Sequence, residues 1–115
     1  MSDVPNSERK LGAINGTLPD GSEGVVGYVF WCPGCEMPHV YWTKLSKASQ
    51  PEQPIWSFNG DLEKPTFSPS LLMYGTEASP RCHLFLREGR LEFVGDSQHK
   101  LAGQVVDLPA LPEGW

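Results

Sequence analysis

The sequence predicts a mainly β fold, α+β at most: zinc-stabilised β-hairpins with one short helical turn, arranged like a treble clef or zinc ribbon. Three observations carry that prediction. Runs rich in β-branched and aromatic residues recur, as in Val25-Val26-Gly27-Tyr28-Val29-Phe30-Trp31, and such residues suit a pleated, half-buried surface. Eleven prolines and 12 glycines among 115 residues cut the chain into short segments. All three cysteines and all three histidines fall in three short places. These are Cys32-Pro33-Gly34-Cys35 with His39, then Cys82-His83, then Asp96-Ser97-Gln98-His99.

The elements follow in order. Residues 1–8 are polar and read as a flexible N-terminus. Residues 9–110 read as a single zinc-binding β domain, and 111–115 as a tail. Lys10–Leu18 is a strand, closed by the turn signal Pro19-Asp20-Gly21-Ser22-Glu23-Gly24. Val25–Trp31 leads into the cysteines and His39–Thr43 leaves them, which puts Cys32-Pro33-Gly34-Cys35 at a hairpin tip. Lys44–Pro54 is a polar loop, Ile55–Phe58 a short strand, and Asn59-Gly60-Asp61 a turn. Pro65 and Pro69 make residues 62–70 an extended loop. Leu71–Tyr74 is a strand. Cys82–Arg87 and Arg90–Val94 flank Glu88-Gly89 as a hairpin. Asp96 or Ser97 caps a helical turn that stops at Gly103, and Gln104–Leu108 is the last strand. Trp31, Trp42 and Trp56 read as core, since thin β domains fill their interiors with large aromatics. Trp115 reads as exposed.

Composition narrows the functions. Hydrophobic residues make 39% of the chain and charged residues 20%, with a net charge of −5. A domain of this size buries only roughly 65% of its unfolded surface, so a structural metal adds stability it needs. No cluster of Lys or Arg offers the phosphate contacts that nucleic-acid binding requires. Val25–Trp31, the longest nearly apolar run, is too short to span a bilayer. The opening Met1-Ser2-Asp3-Val4-Pro5 lacks the pattern of a secretory signal. A cytoplasmic setting follows as the expectation, and there a Cys-x-x-Cys pair is more often a metal half-site or a redox pair than a structural disulfide.

The metal reading is favoured by its flanks. A thioredoxin-type pair opens a helix in a βαβ unit, whereas this one lies between two β-rich runs. Structural zinc takes four tetrahedral ligands from Cys and His, and thiolates with imidazole select zinc over magnesium or calcium. Cys32 and Cys35 supply one half. Cys82 and His99 are the expected other half, with His83 or His39 as alternatives to either. Cys82 and His83 are adjacent in a strand and so point to opposite faces, which makes it hard for both to reach one ion. An open metal position would make the site catalytic, but the His-x-Glu then Pro-Cys-x-x-Cys order of zinc deaminases is absent. Asp96 either caps the helical turn or orients a ligand histidine. Residues 56–70 hold Trp56, Asn59, Asp61, Thr66 and Ser68, either as the lip of a groove or as a loop packed on its own aromatics.

Several of these motifs recur together in a known family. Phe30-Trp31-Cys32-Pro33-Gly34-Cys35, Trp56-Ser57-Phe58-Asn59-Gly60-Asp61, Lys64-Pro65-Thr66-Phe67-Ser68-Pro69-Ser70, Cys82-His83 and Gly95-Asp96-x-x-His99 resemble small proteins encoded in tailed bacteriophages and prophages. These often carry the label ammonia monooxygenase, the name of a membrane complex. The resemblance spans residues 25–110 and implies a phage-encoded zinc-binding protein, with no established activity to carry over.

The first functional expectation is a zinc-stabilised binding domain. It would use Zn2+ held by Cys32, Cys35, Cys82 and His99 for structure alone, and would act on a host or phage protein. The alternative is a small zinc-dependent hydrolase with an open metal position, a spare histidine and residues 56–70 as a substrate wall. No catalytic residue is assigned on sequence grounds.

Overall fold

A computed structural model describes residues 9–49, 53–75 and 80–112. The expectations for residues 1–8 and for Trp115 lie outside these residues. The chain forms two antiparallel sheets. The first has the order β1 (Gly12–Thr17), β2 (Glu23–Cys32), β3 (Met37–Trp42). The second runs β4 (Ser57–Phe58), β5 (Phe67–Met73), β6 (Cys82–Arg87), β7 (Arg90–Phe93), β8 (Val105–Asp107). Every sheet neighbour is also a neighbour in sequence, so each strand pairs with the one it has just left. No helix occurs among the described residues. The mainly β expectation holds. The segment expected as a helical turn is instead two successive tight turns, closed by Ala102 N to His99 O at 3.1 Å and Gln104 N to Leu101 O at 3.0 Å.

The core lies where the sheets meet. Alternation along β6 puts Cys82, Leu84 and Leu86 inside, each 0% exposed, and leaves His83 and Phe85 half-buried on the other face. A column of rings crosses the junction. Phe30 stacks on Tyr41 (centroids 5.3 Å apart), Tyr41 on Phe67 (4.2 Å), and Phe67 on Phe58 (4.5 Å). The first two belong to the first sheet and the last two to the second. Offset aromatic pairs of this kind add about 0.5–1.5 kcal/mol each beyond the area they bury. The tryptophans expected in the core are only half-buried. Phenylalanine, tyrosine and leucine take those places, and Trp56 packs against their edge.

Strand β5 begins earlier than its prolines suggest. Phe67 and Ser68 pair with Phe58 and Ser57 of β4, and Phe67 also pairs with Leu86 of β6. The register with β6 then breaks between Phe67 and Leu71. Pro69 sits in that break, where it removes no ladder hydrogen bond, and the break turns Ser70 out of the regular pleat. Before it, Asn59 Oδ1 accepts Asp61 N and Thr66 N, and Asp61 Oδ1 accepts Glu63 N and Lys64 N. Asn59 and Asp61 thus serve local turns.

Leu84 lies at the centre of the junction with no exposure. Leu84→Ala is expected to cost about 2–5 kcal/mol, read as a lowered denaturant midpoint with an unchanged slope. A loss under about 1 kcal/mol would contradict the packing described.

Candidate active site and metal centre

Two chemical centres are built on the same two stretches of backbone, residues 81–83 and 94–99. The inward centre is the cysteine cluster. Cys32 closes β2, and Cys35 lies in the turn between β2 and β3, its N–H 3.4 Å from Cys32 Sγ. Glu36 N returns to Cys32 O at 2.8 Å, and Glu36 takes a left-handed φ of 56° to close the turn. Cys82 opens β6 from the other sheet, and its Sγ lies 3.8 Å from Cys32 Sγ. His99 completes the group, and ligand atoms from all four residues fall within 4.8 Å of one another.

The donor set fits a tetrahedral cation. Two sulfurs bound at about 2.3 Å to one tetrahedral zinc stand about 3.8 Å apart, the separation of Cys32 and Cys82. Without a cation the thiols work against each other. The Cys82 thiol, donating to the Cys32 sulfur, is the main cause that holds Cys32 down to about 4, with help from the nearby His39 ring. Burial, then the Cys32 charge, pushes Cys35 up to about 11. Cys82 is driven up by its bond to Cys32 and by burial. A central cation would let all three ionise together.

Histidine nitrogens around the cluster also lack partners. Nε2 of His99 and both ring nitrogens of His39 are buried without a hydrogen bond. His99 Nδ1 accepts Leu101 N–H at 3.2 Å, and metal binding at either nitrogen would end that bond, by occupying Nδ1 or by placing the ring proton on it. The His99 ring stands edge-on to Phe93 at 4.6 Å. Its other side touches Gly34, where a Cβ would come within 2.3 Å of the ring. Only glycine fits that position in the turn.

The outward centre was not foreseen in the sequence. His83 points away from the cysteines, as its neighbour's direction requires. Its Nε2 is 3.0 Å from Ser70 Oγ and its Nδ1 is 3.1 Å from Asp96 Oδ1. Nδ1–H directed at the carboxylate leaves Nε2 to accept the serine proton. The Asp96 carboxylate is half-exposed and also faces Arg81, 3.9 Å away. The alternatives that made His83 a metal ligand are not what its side chain does. Asp96 orients a histidine, as considered, but that histidine is His83 of this relay.

Residues 94–99 bind both centres to β6. Ser97 is 8% exposed. Its Oγ accepts His83 N and donates to His83 O, both at 3.0 Å, and Val94 N donates to the same carbonyl at 2.8 Å. Gln98 N donates to Arg81 O at 2.8 Å, while Gln98 Oε1 accepts Arg81 N at 2.9 Å. In four consecutive residues, Asp96 serves the relay, Ser97 and Gln98 fasten β6, and His99 serves the cluster. The available sequence signal was the Asp96-x-x-His99 spacing beside Cys82-His83, two pairs that each divide between two centres. Ser70 had no signal beyond its place in a Ser-Pro-Ser run.

Three results would test this geometry. Cobalt(II) should give the intense thiolate charge-transfer bands of a closed tetrahedral site, unmoved by azide. Azide-induced change would show an open position. Gly34→Ala should weaken metal retention by at least about tenfold, as loss of a supporting contact does; unchanged retention would contradict the contact with His99. Ser97→Ala should cost about 1–3 kcal/mol by leaving His83 N without its acceptor and His83 O with Val94 N alone, measured by denaturant unfolding.

No curated protein and no solved structure matches the chain. A family model does match: residues 6–94 fit "Bacterial ubiquitination-like system serine protease (BubE)". The matched span contains Ser70, His83 and all three cysteines, and it ends just before Asp96 and His99. The match gives a protease family in place of the unassigned function that the phage-protein resemblance implied. Because the match covers most of its length, the chain belongs to the BubE family of bacterial ubiquitination-like system serine proteases.

Proposed function

We propose that this chain hydrolyses a peptide bond through Ser70, His83 and Asp96, and that a zinc ion on Cys32, Cys35, Cys82 and His99 holds the residues that carry them. The observation that carries this reading is the continuous contact from Ser70 Oγ through His83 to Asp96, with both links near 3 Å. A serine hydroxyl is a weak nucleophile until a neighbouring base takes its proton. His83 Nε2 is placed to do so. Asp96 keeps the proton of the neutral ring on Nδ1 and stabilises the imidazolium that forms.

The reaction divides into two displacements. Ser70 Oγ attacks the carbonyl carbon as its proton passes to His83 Nε2. The tetrahedral adduct expels the amine, which takes that proton, and Ser70 is left acylated. Water then attacks the acyl carbon, with His83 as base, and the acid product leaves Ser70 as it began. The break in the β5–β6 ladder leaves room for the adduct at Ser70. Zinc takes no part in these steps. Cys32, Cys35, Cys82 and His99 would hold it with a filled tetrahedral shell, and Cys82 points to the opposite face of β6 from His83. A metal there would pin Cys82 and His99, and thereby the backbone on which His83 and Asp96 stand.

This reading favours the hydrolase alternative over a purely binding domain, with serine rather than metal as the source of the nucleophile. The family's name sets such proteases in a ubiquitination-like system, and we extend that setting here: the substrate is a protein chain handled by such a system. Ser70→Ala should lower peptide hydrolysis on the order of 10⁴-fold or more, and Asp96→Asn roughly 10²–10⁴-fold, with the larger share in kcat. Peptidase assays on folded, metal-loaded variants would measure both. Full turnover by Ser70→Ala would remove the serine from the mechanism.

A further inference from the structure

Beside Ser70 the second sheet has an unpaired edge. Strand β4 pairs with β5 only at Ser57 with Ser68 and Phe58 with Phe67. Leu71 to Met73 therefore have β6 on one side and, among the described residues, no strand on the other. Across the gap stands β3, itself an edge strand of the first sheet. Segment 53–56 bridges one end, where Trp56 N donates to Trp42 O at 2.8 Å. The same Trp56 donates Nε1–H to Ser70 O at 3.2 Å, so the groove and the nucleophile share a residue.

The gap is a groove of about 560 Å³. Its walls are mainly Val40 and Trp42 on β3, Leu72 and Met73 on β5, and Pro54 and Trp56 at the bridge, with His39 and Gln53 as the polar lining. None of the described residues that line it is Asp, Glu, Lys or Arg. Leu72 shares the face of β5 that bears His83 across the ladder, since these two are register partners. Chain laid along the β5 edge beside Leu71–Met73 thus lies next to Ser70 in the strand.

We infer that this groove is the substrate cleft. Resting on Ser70 as nucleophile, the proposal is that the cut chain enters as an extended strand between β3 and β5, with an uncharged apolar side chain seated against Val40, Trp42 and Leu72 next to the scissile bond. Three features favour that occupant over any other. The groove adjoins Ser70 through Leu71, next to it in the chain, and Trp56, bonded to its carbonyl. The free edge of β5 offers main-chain groups that only an extended chain pairs along its length. The walls are mainly apolar, and the one titratable group among the described lining residues, His39, is 3% exposed, so a charged side chain would enter desolvated with no Asp, Glu, Lys or Arg to pair with. One well-seated apolar group discriminates by about 10–200-fold.

The test separates binding from chemistry. Full-length, metal-loaded Ser70→Ala protein is titrated with short synthetic peptides that differ at one position, Leu, Phe, Asp or Lys, while backbone amide shifts are followed by NMR. Leu and Phe peptides should shift the amides of Val40 and of Leu71–Met73, and should bind at least about tenfold tighter than the Asp peptide. In a Val40→Lys, Ser70→Ala variant the order should move toward the Asp peptide, which a merely structural effect would not produce. Shifts confined to another face, or an unchanged preference in the Val40→Lys protein, would overturn the cleft. Absence of binding by every peptide would overturn it as well. Hydrolysis of p-nitrophenyl acetate by the wild type, an ester too small to need the groove, reports on Ser70 and His83 separately. Failure there would sink the protease reading while the binding result stands by itself.

Discussion

Cys82 and His83 are neighbours on one strand, and a strand sends neighbours to opposite faces. That constraint sets the plan of the molecule. Cys82 turns into the sheet junction and meets Cys32. His83 turns out and meets Ser70 and Asp96. Neither centre can shift along β6 by one residue without exchanging the Cys82 thiol for the His83 ring. The second shared segment repeats the division, with Asp96 on one side and His99 on the other. A metal in the cluster and a base in the relay are therefore two readings of one piece of backbone. Binding zinc, on the order of 10–16 kcal/mol in small structural sites, would fix both at once.

The same arrangement accounts for how so small a domain holds Ser70, His83 and Asp96 in contact. The two sheets share a column of rings and the cysteine cluster, one at each part of their junction. Ring stacking gives the junction its bulk. The cluster fixes the hairpin of β2 and β3 against the start of β6. Precise placement of Ser70, His83 and Asp96 matters because misplacement by about 1 Å can cost roughly 10²-fold in rate. Ser97 supplies part of that precision by binding both backbone groups of His83. Its burial and small size explain why a serine sits there rather than a longer side chain.

Much of this was legible in the sequence because it depends on local pattern. Strand β6 has the bounds expected for it, and β2, β3 and β7 fall within one or two residues of their runs. The residues expected to gather around a metal are the four that the fold brings together. What escaped was long-range or depended on register. The relay joins residues 13 apart in each step, and no spacing marks such a set. Ser70 became a nucleophile candidate only through the ladder break around Pro69, in a stretch that reads as loop. His83 looked like a spare ligand because Cys82 is beside it, although the same adjacency required it to point away. Phe30, Tyr41 and Phe67 took the interior expected for tryptophans, because the alternation of each strand, not side-chain size, decides which residues face the junction.

The central claim is that His83 activates Ser70. A fluorophosphonate reacts only with an activated serine, so mass-spectrometric mapping of the adduct on the metal-loaded protein tests that claim most directly. The account predicts a single adduct on Ser70, with its rate of formation lowered at least about 10²-fold in a folded His83→Ala variant. No adduct on Ser70, or labelling there at the same rate without the His83 ring, would contradict it.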